Sequence, residues 1–234
     1  MLTLFHAPSS SSRRMVWLLE ELQVEYRLEV VTFPRSDGSN IDPKNPHPHG
    51  YTPAVMHDGV LVTESGAITL YLTDLFPLSS ISIPIADPLR ASYVTWLFYQ
   101  VGLVEPLIYM KGTKVLERDA AMSRLYEAMM CHVENALART PYLLGERFTA
   151  VDILYMSLFQ HARELFSAKA IGSTRTLLVG SIGRLAKEPF SREADTFRDA
   201  AYVTTIRADA TLTNRRCCAP ISPSRCDVTR AVAK

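Results

Sequence analysis

The sequence predicts an α+β domain followed by an all-helical domain, and three observations lead to this prediction. Residues 1–77 alternate between short β-prone runs and helical periods. From Leu89 onward apolar residues recur only at helical spacing, and residues 78–88 between the two parts hold two prolines and no helical period. We therefore predict a first domain over 1–77, a linker over 78–88, a helical domain over 89–201, and a poorly ordered basic tail over 202–234.

The first predicted elements are a strand, a helix and a second strand. LTLFH (2–6) is a short apolar run that stops at Pro8, as buried strands often do. An amphipathic helix is predicted from about Ser12, because apolar residues then fall at i, i+3, i+4 and i+7: Met15, Leu18, Leu19 and Leu22. YRLEVVTF (26–33) is β-prone and predicts the second strand.

A hairpin and a second helix complete the predicted first domain. After a polar loop over 34–50, PAVMH and VLVTE flank Asp58-Gly59, a dipeptide typical of tight hairpin turns. Ser65 is a candidate N-cap for a helix that ends before Pro77.

The order of these elements predicts a thioredoxin-like fold. Two parallel strands joined by a helix form a right-handed βαβ unit, and the hairpin adds antiparallel strands. Pro53 stands just before the first hairpin strand, where that fold keeps a cis-proline.

Helical periods dominate the second half of the chain. The clearest start signal is at Thr149, which can form a capping box with Asp152, while Phe148 can staple against Ile153. Predicted helices cover 89–110, 114–138 and 150–166, with weaker periods at 175–187 and 189–200.

Composition argues against several classes of protein. The net charge of +1 gives no reason to expect nucleic acid as a partner, although residues 202–234 carry six basic against two acidic residues. The N-terminus lacks the features of a signal peptide, and no apolar run approaches the roughly 18 residues of a membrane span. The four cysteines show neither zinc-site nor disulfide spacing, so we expect no metal and a reducing compartment. Together these features lead us to expect a cytoplasmic protein with no membrane partner.

Four consecutive serines, 9–12, precede the first predicted helix. Serine clusters between periodic segments are usually polar loops. At a helix N-terminus, however, hydroxyls can also donate hydrogen bonds to an anion. The residues alone leave both interpretations open.

Three motifs in order resemble the cytosolic glutathione S-transferases, most of all bacterial-type members. They are HAPSSSSRRMVWLLEEL (6–22), NPHPHGYTPAVMHDGVLVTESGAITLYLTDLFP (45–77) and YLLGERFTAVD (142–152), and the resemblance extends over about residues 1–200. It implies a homodimeric detoxification transferase that binds glutathione as co-substrate and a hydrophobic electrophile. The tail after about Ala201 and the Gly50-Tyr51-Thr52 stretch before Pro53 depart from the family pattern.

The resemblance places one of the serines beside the glutathione thiol. Aligned on Arg14, Ser10 stands at the serine of Ser-type members, while Ser9 and Ser11 are the alternatives. A hydroxyl that donates to the sulfur favours the thiolate, the reactive form. Because no cysteine occurs over 9–12, dithiol exchange is not expected.

The resemblance also implies a set of residues that bind the peptide part of glutathione. Glu64 would meet the γ-glutamyl ammonium, and Ser65 at the helix start would receive the carboxylate. Thr52, before Pro53, would pair through its backbone with the cysteinyl part. Tyr51 stands where members often contact the glycyl carboxylate.

A pocket for the electrophile is implied on the first helical segment of the second domain. By this resemblance the pocket would be lined by Tyr99, Leu103 and Leu107, which recur at i, i+4 and i+8, and by the nearby Tyr109. An apolar stripe with this spacing is more often part of a plain helical core.

Two main functions fit the sequence. The first is a glutathione transferase that conjugates an electrophile or reduces a substrate through glutathione. The alternative is a non-catalytic glutathione-binding or interaction protein with the same fold. Isomerisation of a maleyl-type substrate is a third possibility, suggested by the serine run alone.

Overall fold

The computed structural model describes residues 1–8, 10–35 and 37–162. Ser9 therefore lies outside the described residues. So do the predicted helices at 175–187 and 189–200, the basic tail at 202–234, and the last residues of the helix predicted over 150–166.

A mixed four-stranded sheet forms the first part of the molecule. Its strands lie in the order β2-β1-β3-β4, with β1 parallel to β2 and the other neighbours antiparallel. The sheet and the cis peptide bond between Thr52 and Pro53 confirm the thioredoxin-like prediction. The strand bounds are β1 Leu2–His6, β2 Arg27–Val30, β3 Ala54–His57 and β4 Val60–Thr63.

Strand β2 is shorter than the predicted 26–33. Val31 still donates a backbone hydrogen bond to His6, but the amide of Thr32 turns to the carboxylate of Asp42, at 2.9 Å. The chain thus leaves the sheet because a loop carboxylate replaces the neighbouring strand as acceptor.

Helix α1, Arg13–Leu22, and helix α2, Ser65–Leu75, pack on the sheet. The predicted apolar face of α1 is buried. Ser65 does not cap α2, so that prediction is wrong. Glu64 is the N-cap residue, with a φ of 68°, and Ser65 is already the first helical residue.

The second part of the described chain is helical. The segment predicted as one helix over 89–110 is interrupted by a π-helical turn over Gln100–Val104. The segment predicted from 114 begins with a 3₁₀ turn over Val115–Arg118. The helices are α3 Arg90–Tyr99, α4 Glu105–Gly112, α5 Ala120–Arg139 and α6 Ala150–His161.

Helix α6 begins with the predicted capping box. Asp152 accepts from the amide of Thr149 at 2.8 Å and from that of Leu143 at 3.0 Å. Because α6 packs against both α1 and α2, one continuous core joins the sheet domain to the helices. Ile81 and Ile83 of the predicted linker are buried in that core.

Two contacts fix the helical part against the start of α1 and α2. The guanidinium of Arg14, 4% exposed, forms a bidentate ion pair with Glu105, at 2.8 and 2.9 Å. Gly66 on α2 lies so close to Val101 that an added Cβ would stand 3.1 Å from its methyl groups. The π-helical turn therefore lies directly against the first turn of α2.

Candidate functional site

The serine run connects β1 to α1 and faces the loop that carries cis-Pro53. Ser10 and Ser11 accept backbone hydrogen bonds from Arg13 and Arg14, so the loop passes into the helix without a break. This places the hydroxyls beside the positive end of the ten-residue helix α1.

Ser12 points into the protein and is fully buried. Its Oγ lies 2.8 Å from Nδ1 of His6 and accepts a hydrogen bond from the amide of Ala7. His6 is 7% exposed. Burial, and then the charge of Arg13, lower the pKa of His6 to about 4, so its imidazole is neutral at pH 7.

Ser10 lies one step further out and contacts several groups. Its Oγ donates to the carbonyl of Ala7 at 2.7 Å. The same oxygen lies 2.6 Å from Oγ of Ser12 and 3.0 Å from Oγ1 of Thr52. The Ser10 hydroxyl is thus part of an internal network.

Ser11 has a simpler environment. Its Oγ donates to the backbone carbonyl of Thr52 at 3.0 Å. Ser10 and Ser11 therefore both reach Thr52, one through its side chain and the other through its backbone.

The loop before Pro53 is held by Asn45. The side-chain amide of Asn45 donates to the carbonyls of Gly50 and Tyr51, at 2.8 and 3.0 Å. Gly50 has a φ of +68°, and a Cβ there would stand 2.8 Å from the side chain of Ile41. Only glycine fits this position without a shift, so the approach to Thr52 has a fixed shape.

Glu64 and Ser65 lie at the opposite helix start, that of α2. The Glu64 side chain is 77% exposed, and its carboxylate lies 3.7 Å from Nε2 of the buried His47. No side-chain cap occupies the first turn of α2. This helix start is open in the sense that it has no side-chain cap, and the carboxylate beside it is exposed.

Tyr51 is half-exposed and belongs to a cluster of aromatic rings. The ring centroids of Tyr51 and the other members lie 5.9 to 6.4 Å apart. The other rings are those of Phe33, His47 and His49.

The predicted electrophile residues do not lie on one surface. Leu107 is buried in the core, whereas Tyr109 is 72% exposed. Tyr99 packs edge-on against Trp96 and His132, and burial raises its pKa. The π-helical turn between Tyr99 and α4 shifts the register, so i, i+4 and i+8 no longer share a face.

Sequence reasoning missed His6, Ser12, Asn45 and His47. A signal for His6 was present, because Leu2, Leu4 and His6 alternate along β1 and all three are buried. The contacts of Ser12 and His47 depend on chain segments that meet only in the fold.

The described residues hold neither a candidate metal site nor a membrane-spanning helix. No cluster of three or more His, Cys, Asp or Glu side chains suited to a metal ion was found within residues 1–162 as described. Over the same part of the chain, the helices are too short or too polar to cross a bilayer.

Comparison with known proteins gives consistent matches. The family model "Glutathione S-transferase, N-terminal domain" matches residues 4–80. Glutathione S-transferase 3 of Schizosaccharomyces pombe is 27% identical over 192 residues, covering 72% of this chain and 78% of its own. The disulfide-bond oxidoreductase YfcG of Escherichia coli is 28% identical over 171 residues, covering 65% of this chain and 76% of its own.

Solved structures share the fold. A glutathione transferase family member from Pseudomonas fluorescens Pf-5, solved with two glutathione molecules bound, has a TM-score of 0.60 at 20% identity. The match covers 80% of this chain and 89% of that one. Together with the thioredoxin-like sheet and cis-Pro53, these matches indicate a member of the glutathione S-transferase family, whose N-terminal domain model covers residues 4–80.

Proposed function

We propose that the protein binds glutathione and activates its thiol as a thiolate, for conjugation to a hydrophobic electrophile or for glutathione-dependent reduction. The observation that carries this proposal is the convergence of the Ser10 and Ser11 hydroxyls on Thr52, directly before cis-Pro53. The names of the relatives support both a transferase and a reductase activity. The glutathione bound to the Pseudomonas fluorescens neighbour supports the co-substrate.

The chemistry needs a lowered thiol pKa. A free thiol has a pKa of about 8.5, so most glutathione is protonated at pH 7. The positive end of α1 and one hydroxyl donor both stabilise the sulfur anion relative to the thiol. The serine loop supplies both.

Among the serines, the contacts favour Ser11 as the donor, with Ser10 as the alternative. The Ser10 proton is directed to the carbonyl of Ala7, an internal acceptor. The Ser11 proton is directed to the carbonyl of Thr52. In the family pattern that carbonyl pairs with the cysteinyl backbone of glutathione, and such pairing would free the Ser11 proton for the sulfur.

The remaining ligand contacts follow the same family pattern. Glu64 would bind the γ-glutamyl ammonium and the first turn of α2, at Ser65, the carboxylate. Tyr51 would lie at the glycyl end. Of the predicted electrophile residues, Tyr99 and Leu103 are partly buried and fit a pocket wall better than Leu107, which belongs to the core.

The test is a thiolate titration combined with an activity assay. We expect Ser11→Ala to raise the pKa of enzyme-bound glutathione by about one to two units, because a hydrogen bond to a charged group is worth about 1.5 to 3 kcal/mol. Turnover of 1-chloro-2,4-dinitrobenzene at pH 7 should then fall roughly tenfold to a hundredfold. Ultraviolet absorbance of the thiolate measures the first quantity and initial rates measure the second.

Ser10→Ala is the matched variant, and Ser39→Ala in an exposed loop is the control. A larger pKa shift in Ser10→Ala than in Ser11→Ala would assign the donor to Ser10 instead. Glutathione binding without turnover of several electrophiles or of a glutathione mixed disulfide would favour the non-catalytic alternative.

We also propose a cytoplasmic homodimer, supported by the family resemblance. Light scattering at micromolar concentration should give about twice the chain mass of 26.2 kDa. A mass equal to that of one chain would contradict the dimer.

A further inference from the structure

Three short contacts connect the interior of the first domain to the serine loop. They join Nδ1 of His6 to Oγ of Ser12 at 2.8 Å, Oγ of Ser12 to Oγ of Ser10 at 2.6 Å, and Oγ of Ser10 to the carbonyl of Ala7 at 2.7 Å. At such distances each contact needs one hydrogen between the two heavy atoms, since two lone pairs facing each other repel.

The carbonyl of Ala7 decides where each hydrogen lies. A carbonyl oxygen only accepts, so the contact at 2.7 Å uses the single hydroxyl proton of Ser10. Ser10 then has no proton left for Ser12, and the contact at 2.6 Å must use the proton of Ser12. Ser12 in turn has none left for the imidazole, so Nδ1 of His6 carries the hydrogen of the third contact.

Other arrangements leave a short contact without a hydrogen. If Ser12 donated to His6, Ser10 would have to donate to Ser12, and its contact of 2.7 Å with the Ala7 carbonyl would be repulsive. If Ser12 donated to the Ala7 carbonyl at 3.3 Å, the same conflict would arise at Ser10.

We propose that His6 is a positioning residue, whose Nδ1–H donates to Ser12 and so holds the hydroxyl protons between the core and Thr52 in the one arrangement that the Ala7 carbonyl allows. Ser10 then has no proton left for Thr52, so Thr52 Oγ1 donates to it across 3.0 Å. The imidazole thus holds the serine loop against the loop of cis-Pro53 without touching a ligand. Because burial keeps the pKa of His6 well below 7, the neutral ring must be the Nδ1–H tautomer.

The direct test reads the tautomer by nitrogen NMR of the full chain at neutral pH. Two-bond proton–nitrogen correlation separates a protonated ring nitrogen from a bare one, and the signals of His6 are identified by their loss in His6→Asn. We expect a protonated Nδ1 and a bare Nε2 for His6. A bare Nδ1 would overturn the inference. This reading requires no ligand and no turnover.

The kinetic test rests on the proposed function and uses two substitutions. The amide nitrogen of asparagine lies about where Nδ1 does and also donates, so His6→Asn should keep kcat/KM within twofold. His6→Phe fills the same space without a donor, and we expect a loss of roughly fivefold, the effect of about one neutral hydrogen bond. Equal losses in both variants would overturn the positioning role.

The two tests separate the two proposals. A wild-type chain without glutathione turnover would contradict the proposed function, while the tautomer would still decide the state of His6. If His6→Phe does not fold, the tautomer of the wild-type chain and the activity of His6→Asn decide the inference.

Discussion

The two helix starts at the candidate site are built in opposite ways. At the start of α1 the hydroxyls of Ser10 and Ser12 are engaged with His6, Ala7 and Thr52 inside the protein. At the start of α2 no side chain caps the first turn, and the carboxylate of Glu64 is largely exposed. One helix start is already occupied by the protein's own groups, and the other is open.

This difference suggests that the two helix starts have different roles in binding glutathione. A thiolate is stabilised best by groups that are fixed before it binds, since no reorganisation is then needed during the reaction. A peptide carboxylate and ammonium, by contrast, need an accessible helix end and an accessible charge. A pH series and a pair of serine substitutions test this comparison.

The largest effect on stability is expected from pH, because His6 is buried beside the start of α1. The pKa of His6 is about 4 in the folded protein and 6.5 for an ordinary histidine. Between these values the unfolded chain binds a proton that the folded protein does not, so the free energy of unfolding should fall as the pH drops from 6.5 to 4. The difference of about 2.5 units corresponds to about 3 kcal/mol.

Urea unfolding of the wild type and of His6→Asn over this pH range measures the contribution. The contributions of other titrating groups cancel in the difference between the two curves. This difference in the free energy of unfolding should fall as the pH drops from 6.5 to 4. Parallel curves would show that folding does not lower the pKa of His6. The start of α1 would then be less shielded from water than the structure indicates.

A smaller effect is expected from exchanging serine for alanine at each helix start. Ser12→Ala removes a buried hydroxyl and leaves the Ala7 amide and the imidazole of His6 without this partner, so unfolding should become about 1 to 3 kcal/mol easier. Urea denaturation with an unchanged m-value would measure this loss.

Ser65→Ala is the counterpart at the open helix start. We expect stability within about 0.5 kcal/mol of the wild type, as for most surface substitutions, but glutathione affinity roughly fivefold to tenfold weaker by isothermal titration calorimetry. Reversed outcomes, with Ser65→Ala destabilising the fold and Ser12→Ala sparing it, would contradict the comparison.

Local patterns predicted the fold well because they depend on neighbours in sequence. The apolar spacing of α1, the Asp58-Gly59 turn and the capping box of Thr149 with Asp152 are all local signals, and all three were confirmed. The position of cis-Pro53 followed from the order of the elements.

The site was less predictable because its contacts join distant segments. Nothing in the sequence relates residue 12 to residue 6 and residue 52, and only the fold brings these three side chains into one network. Likewise, the apolar residues at 99, 103 and 107 fit an ordinary helix, and their spacing gave no sign of the π-helical turn.

The π-helical turn over Gln100–Val104 has a consequence for insertions and deletions in this chain. Such a turn amounts to one extra residue within a helix. Deleting a single residue from it would restore a regular helix, and the residues that follow would keep their present facing. Glu105 would still reach Arg14, and Leu107 would stay in the core. The turn should therefore accept the loss of one residue more readily than a regular helix would, and a relative without the extra residue needs a gap here before its α4 residues are compared with these.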